Sequence, residues 1–241
     1  MNHGPGTIVI PVADAMRFPE FFIDYSALDV PNGTTASVSR SASVVQNMNM
    51  SLRDMPPDHD WAFILGDDHV FPSDLLRTLL DHEADVIVPL CAKRTPPYQL
   101  VIYKEGTDHY DNRTSRMYPG YIPYAPDEVP DEVFPVLAAG SAGMLIRRHV
   151  LEAVGEPFFE SSDGVYLNED LEFCRKVRDC GFEILCDPHA YLGHIAQVHV
   201  WPYRHEGFDG KLCIKLDCGG PPGRNEVFIG PPVEQKEPVS A

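Results

Sequence analysis

The chain has 241 residues, the upper end of a single domain, and no run near the roughly 20 apolar residues that a membrane-spanning helix requires. A formal net charge of −17 argues against a general nucleic-acid binder, leaving at most a local basic strip from His189 to His205 with Arg204 and Lys211. Residues Met1–Thr7 lack the charged start and long apolar segment of a signal peptide, so a cytoplasmic location is expected, with the six cysteines as free thiols.

Ile8-Val9-Ile10-Pro11 is a short β-branched run that opens into a loop, the pattern of a buried first strand whose C-terminal end faces a site; a ligand near Pro11, Ala13 and Asp14 follows. From Thr34 to Arg53 there is neither glycine nor proline, and Val38, Ala42, Val45 and Met48 recur at helical spacing, which predicts one amphipathic helix. Trp61–Leu65 is a continuous apolar run between Asp60 and Gly66, short enough for a central strand buried on both faces, and the cluster Asp67-Asp68-His69 follows it. Pro72 and Ser73 open a helix with Leu75, Leu76, Leu79 and Leu80, and Ala84–Leu90 reads as the next strand. Strand, acidic turn, helix and strand form one βαβ unit, so the sheet is expected to be parallel here.

Lys104–Val133 carries Asp, Gly, Pro and Tyr without period and reads as a long surface excursion. In Val136–Arg147 two apolar pieces meet through Gly140-Ser141-Ala142-Gly143, small residues that permit close approach of a sugar or, equally, tight strand packing. Asn168–Cys180 reads as a helix with Asn168 as N-cap, Glu169 and Asp170 in its first turn and Gly181 past its end. Phe182–Cys186 is a further strand, and beyond residue 205 the Gly/Pro-rich sequence predicts a tail over 206–241 after a domain of 1–205.

Asp67, Asp68 and His69 are costly to hold together behind a buried strand unless water or a cation neutralises them. In an extended strand end Asp67 and His69 would point the same way and grip one divalent ion, Mn²⁺ or Mg²⁺, while Asp68 would point oppositely and meet a ribose hydroxyl or a donor group behind the metal ligands. The competing reading is a solvated acidic turn before a helix N-terminus. Glu169 and Asp170 divide in the same way between complementing the helix dipole and taking a proton from an acceptor hydroxyl. A structural zinc site drawn from His189, His194, His199, His205, Cys213 and Cys218 lacks the close cysteine pairs of common zinc sites.

Phe63–His69 resembles the Asp-x-Asp motif of GT-A glycosyltransferases of the family-2-like kind, and more closely the Asp-x-His variant of polypeptide N-acetylgalactosaminyltransferases. Asn168–Arg175, then Asp179–Ile184, then Gly193-His194-Ile195 is similar in order to the acidic helix, Cys-Gly turn and Gly-His-Ile segment of the same enzymes. The resemblance covers roughly Ile8 to Val200 and implies a mixed, mostly parallel α/β sheet flanked by helices in a single domain with a tail. It implies His194 as the third metal ligand, and nucleotide contacts at Pro11 to Asp14, Arg40 and Asn47. Lys93 and Arg94 then read either as diphosphate contacts or as solvent-facing cations. Gly66 stands where many members carry the first Asp, so Asp67 and Asp68 both stay candidates for the carboxylate ligand. The implied reaction moves a sugar from a nucleoside-diphosphate donor, UDP-linked first, to a hydroxyl on a bacterial or phage glycan, a protein or a modified DNA base, with inversion or retention. A nucleotidyltransferase or a non-catalytic carbohydrate- or partner-binding module on the same fold are the alternatives; for the first, the chain lacks the expected glycine-rich basic loop after Pro11.

Overall fold

A computed structural model of the chain describes residues 3–12, 18–40, 43–111, 116–160, 168–196, 198–204, 206–209, 212–217 and 226–229. They fall into two compact units, the first drawn from residues up to 92 and from 99 to 195, the second from 93–98 and from 196 onward. In chain order the first unit contains β1 (Gly6–Pro11), α1 (Pro19–Ala27), β2 (Thr35–Ser39), α2 (Val44–Arg53), β3 (Trp61–Ile64), β4 (His69–Val70), α3 (Leu75–Asp81) and β5 (Val86–Cys91). It continues with β6 (Ile102–Asp111), β7 (Arg116–Pro123), β8 (Phe134–Val136), β9 (Ala138–Ala139), β10 (Met144–Arg147), α4 (Arg148–Val154), α5 (Glu169–Asp179) and β11 (Ile184–His194).

The main sheet runs β2-β1-β3-β10-β5-β11-β4, with β8 on β11. Strands β1, β2, β3, β5 and β11 point one way, while β10, β4 and β8 run against them. This is the expected mixed, mostly parallel sheet. The βαβ unit needs a correction: β3 and β5 point the same way but are not neighbours, because β10 inserts between them, antiparallel to both.

Successive residues of the central strands serve opposite faces, since side chains alternate across a pleated strand. Val9, Ala62, Ile64, Val86, Val88, Met144 and Ile146 pack with Met48 and Leu52 of α2, Leu151 of α4 and Phe173 and Val177 of α5. Ile8, Ile10, Phe63, Ile87 and Leu145 pack on the other side with Phe21 of α1 and Leu75, Leu76, Leu79 and Leu80 of α3. Each of those leucines is at most 1% exposed, and full burial of such a side chain is worth about 1.5–3 kcal/mol. Helices therefore cover both faces, which is why β3 and β5 read as unbroken apolar runs.

Three expectations change on the structure. Thr34–Arg53 is not one helix: Thr35–Ser39 pairs in parallel with β1, and α2 starts only at Val44, where the Ser43 side chain accepts from Gln46 N at 3.2 Å. The β-branched and serine-rich stretch favours strand and capping geometry over helix, and absence of Gly and Pro does not override that. Lys104–Val133 is not a loop throughout, because β6 and β7 form an antiparallel hairpin and β6 also pairs β9. The region 206–241, expected as a tail, carries β13 (Leu212–Asp217) and β14 (Glu226–Ile229), which with β12 (His199–Arg204) make an antiparallel sheet in the second unit. Leu212-Cys-Ile-Lys-Leu-Asp217 ends in the apolar–polar alternation of a strand, which the surrounding Gly/Pro content masked.

Helix α5 forms as the sequence predicts, with Asn168 accepting from Leu171 N at 3.1 Å and Gly181 at φ +87° beyond its end. Gly143, before β10, has φ +72°, and an added Cβ would lie 2.6 Å from Pro89 Cγ, so tight strand packing accounts for this glycine. Cys91, Cys174, Cys180 and Cys186 are free thiols, and Cys218 lies outside the described residues. Among the described residues no helix is long and apolar enough to cross a membrane.

The segment ahead of α5 is tied to α2 by one side chain. Asn49 Nδ2 donates to Phe159 O at 2.7 Å, and Asn49 Oδ1 accepts from Phe159 N at 2.9 Å. Asn49→Ala strands both part-buried backbone groups, at an expected cost of about 1–3 kcal/mol. Urea unfolding should show a lower midpoint at unchanged m; an unchanged midpoint would mean that water replaces the bridge.

Candidate active site

The parallel strands β1, β3 and β5 end on one edge of the main sheet, at Pro11, Ile64 and Cys91. Antiparallel β10 begins on that edge, immediately after Gly140–Gly143, and β11 continues along it through a register shift between Asp187 and Tyr191. In open α/β sheets the carboxyl ends of the strands are where ligands bind, because loops there diverge and leave a crevice.

Strand pairing brings distant residues to one point on this edge. His69 of β4 is the cross-strand partner of His194 of β11, and Ile195 N donates to Asp68 O at 2.8 Å. The two imidazoles stack with centroids 4.5 Å apart at 25°. His69 Nδ1 lies 3.2 Å from Gly66 O and 2.9 Å from Asp68 Oδ1. His194 Nδ1 lies 3.1 Å from Ala92 O, and His194 Nε2 lies 3.1 Å from Asp68 Oδ2. Burial works to raise the Asp68 carboxyl, but hydrogen bonds from His194 and His69 outweigh it and hold the group well below the usual carboxylate range.

This arrangement fits a divalent cation. Each Nδ1 faces a backbone carbonyl, which fixes the tautomer that presents Nε2, as metal-binding histidines are commonly held. His69 is 4% exposed, and its Nε2 is shielded from solvent with no hydrogen-bond partner among the described residues. Both ring nitrogens of His194 face oxygens, Nδ1 the Ala92 carbonyl and Nε2 the Asp68 carboxylate, so a cation at Nε2 would also meet Asp68. Cys91 joins the group: one donor atom from each of His69, Cys91 and His194 lies within 4.8 Å of the others. Burial pushes the Cys91 thiol up to about 12 in this state.

Asp170 stands at the start of α5. Its Oδ1 is shielded from solvent and has no partner among the described residues. Burial pushes its carboxyl up to about 6; hydrogen bonds from the Ser141 hydroxyl and N–H oppose the rise, and the Glu169 charge adds to it. A carboxyl held there is matched to accepting a proton near neutral pH. An added Cβ on Gly140 would sit 3.9 Å from Asp170 Oδ2, so Gly140 borders the carboxylate without crowding it. Burial, reinforced by the Asp170 charge, also raises the Tyr103 phenol, which places Tyr103 of β6 near the same carboxyl.

The other expected site residues fall as follows. Residues 67 and 68 form a turn before β4, so strand alternation does not govern them, and the carboxylate found between the imidazoles is Asp68. Asp67 is 7% exposed beside it. Pro11 is buried at the end of β1, opposite Ser39, and exposed Arg40 follows β2; Ala13 and Asp14 lie outside the described residues. Asn47 is a fold contact, its Nδ2 donating to Val12 O at 3.1 Å. Lys93 and Arg94 belong to the second unit. His189 Nε2 lies 2.7 Å from Asp131 O, so this ring is engaged away from His194, while His205, Lys211 and Cys218 lie outside the described residues. Sequence reasoning missed Cys91, Ser141 and Tyr103; only Ser141 carried a signal, its place in the small-residue link before β10.

No protein-family model matches the sequence, and no curated protein matches it. Solved structures do match in fold. A197 from STIV is 16% identical, with 98% of this chain and 99% of that chain covered at a TM-score of 0.44. GalNAc-T7 with UDP, GalNAc and Mn²⁺ is 15% identical, with 80% of this chain and 38% of that chain covered at 0.47. S. aureus TarS 1-349 in complex with UDP-GlcNAc is 12% identical, with 81% of this chain and 59% of that chain covered at 0.50. The chain thus spans less than two thirds of the two named glycosyltransferase chains. Sheet order, helix layers and the likeness to TarS together give the chain the α/β fold of the GT-A glycosyltransferases.

Proposed function

We propose that this chain is a metal-dependent glycosyltransferase that moves a sugar from a nucleoside-diphosphate donor, a UDP-sugar first, to a hydroxyl acceptor. The observation that carries the reading is the convergence of His69, His194 and Asp68 at the carboxyl edge of the sheet, with His69 Nε2 buried and unpartnered among the described residues. The UDP-GlcNAc complex of TarS supports the choice of donor class.

In this reading His69, His194 and Asp68, with Asp67 adjacent, hold a divalent cation, Mn²⁺ in the first expectation. When bound, the ion neutralises negative charge gathering on the departing diphosphate. Asp170 takes the proton of the acceptor hydroxyl in an inverting transfer, or steadies the donor sugar in a retaining one, and Glu169 helps to keep its pKa high. Gly140 leaves room beside that carboxylate for the sugar. Pro11, Ala13 and Arg40 are the proposed nucleotide contacts.

The test is calorimetric titration of the metal-stripped chain with UDP-, GDP-, CMP- and dTDP-sugars, with and without added divalent metal. One nucleotide series is expected to bind only when metal is present. Binding of none, or binding indifferent to metal, would overturn the proposal.

A further inference from the structure

Cys91 is drawn into the metal cluster by the topology of the sheet. It is the last residue of β5 and lies in register with Leu192 of β11; His194 follows two residues on, and His69 is the cross-strand partner of His194. Registered partners share a face, and residues two apart on a strand share a face. Cys91, His194 and His69 therefore project to one side, and their donor atoms lie within 4.8 Å of one another. Around a tetrahedral ion with metal–nitrogen bonds of about 2.0–2.1 Å and a metal–sulfur bond of about 2.3 Å, such donors would stand roughly 3.3–3.6 Å apart. Side-chain adjustments of about an ångström close that difference.

Two further observations point to a ligand at this place. His69 Nε2 is buried, in a residue 4% exposed, without a partner among the described residues. Cys91 is 3% exposed, and its Sγ makes a weak contact to Ala92 O at 3.6 Å. A buried thiol alone would be ordinary packing, since cysteine behaves as a small apolar residue. A thiol converging on two imidazoles whose Nδ1 atoms are already held by carbonyls is a donor set.

We infer that Cys91 is a protein ligand of the metal in this site, so that the chain selects a thiophilic divalent ion, Zn²⁺ or Co²⁺, over Mn²⁺ or Mg²⁺. The inference rests on the metal-dependent reading above and changes its ion. Thiolate ligands favour zinc-like ions, whereas manganese and magnesium prefer carboxylate, carbonyl and water oxygens. Coordination replaces the S–H bond by an S–metal bond, and the proton leaves to solvent. With His69 and His194 the sulfur would make three protein donors, and Asp68 stands beside both rings.

The experiment is titration of the metal-stripped, reduced full chain with Co²⁺, followed by absorption, for the wild type, Cys91→Ser and Cys91→Ala. The wild type is expected to show thiolate-to-cobalt charge-transfer absorption in the near ultraviolet; both variants should lose it while keeping weaker cobalt ligand-field bands from the histidines. In competition assays Zn²⁺ affinity should fall roughly 10- to 100-fold in both variants, with Mn²⁺ affinity unmoved. Cobalt bands without the thiolate band in the wild type would overturn the role of Cys91 and leave the histidine site standing. No cobalt binding at all would overturn both. The wild-type spectrum decides the question even if a variant fails to fold.

Discussion

Asp170→Asn is expected to slow release of UDP from a UDP-sugar by on the order of 10²–10⁴-fold; unchanged donor affinity marks the proton acceptor of an inverting transfer, and weakened donor binding marks the carboxylate that steadies the sugar in a retaining one. Water can serve as the acceptor in this assay, so the measurement does not wait for the natural one. The wild-type rate should rise with pH through about 6, where the Asp170 carboxyl ionises, and the variant's residual rate should lack that rise. A second readout comes from stability. Burial moves this carboxyl from 3.8 to about 6, worth up to roughly 3 kcal/mol. In that window the folded state binds more protons than the unfolded, so the stabilisation is complete below about 3.8 and lost as pH rises through about 6. Asp170→Asn carries no such loss; the variant-minus-wild-type difference in unfolding free energy should grow between those values and then level. Retained turnover with the same acid limb would remove Asp170 from the reaction. Lost turnover without the stability signature would mean that the carboxyl is not buried as described.

How much of this site was legible in the sequence depended on whether a feature was local. Helix α5 was legible because its N-cap, acidic first turn and terminal glycine are encoded within a few residues. Strands β1, β3 and β5 were legible as apolar runs because both of their faces are covered by helices. The order of strands was not: nothing in Met144–Arg147 says that it will lie between β3 and β5, since pairing partners are chosen by the whole sheet. The β6–β7 hairpin was hidden for another reason. It lies in its own small sheet with only part of its surface buried, so it carries little apolar alternation.

The metal cluster shows the same division at the level of single residues. His194 was reached only through resemblance, because it meets Asp68 from 126 positions away. Cys91 was not reached at all: it is the last residue of an apolar strand, where a cysteine reads as packing. Asp67 was favoured over Asp68 by an alternation rule that needs an extended strand, and the chain turns at these two residues instead. Local pattern located the edge of the sheet where chemistry is placed, and tertiary pairing chose which side chains meet there.

That distinction makes the second large effect a test of pairing rather than of motif. At metal concentrations 100 times its Kd, an ion that binds only the folded state adds about 2.7 kcal/mol, which for a chain of this size raises Tm by about 5 to 10 °C. His69→Ala and His194→Ala should each abolish that rise, because each removes an imidazole with a donor nitrogen within 4.8 Å of the other donors, and those that remain should bind more than about 100-fold more weakly. His189→Ala is the control: its ring is held by Asp131 O, so the metal-dependent rise should survive. Asp68→Asn should lose more of the rise than Asp67→Asn, since Asp68 is the carboxylate facing both rings. If His189→Ala abolished the rise while His69→Ala did not, the ion would belong to the C-terminal histidine series, and the edge formed by β4 and β11 would have no metal role. If Asp67→Asn were the more damaging of the two carboxylate changes, the turn at 67–68 would have to rearrange when the ion binds, moving Asp68 off the rings and bringing Asp67 onto the metal.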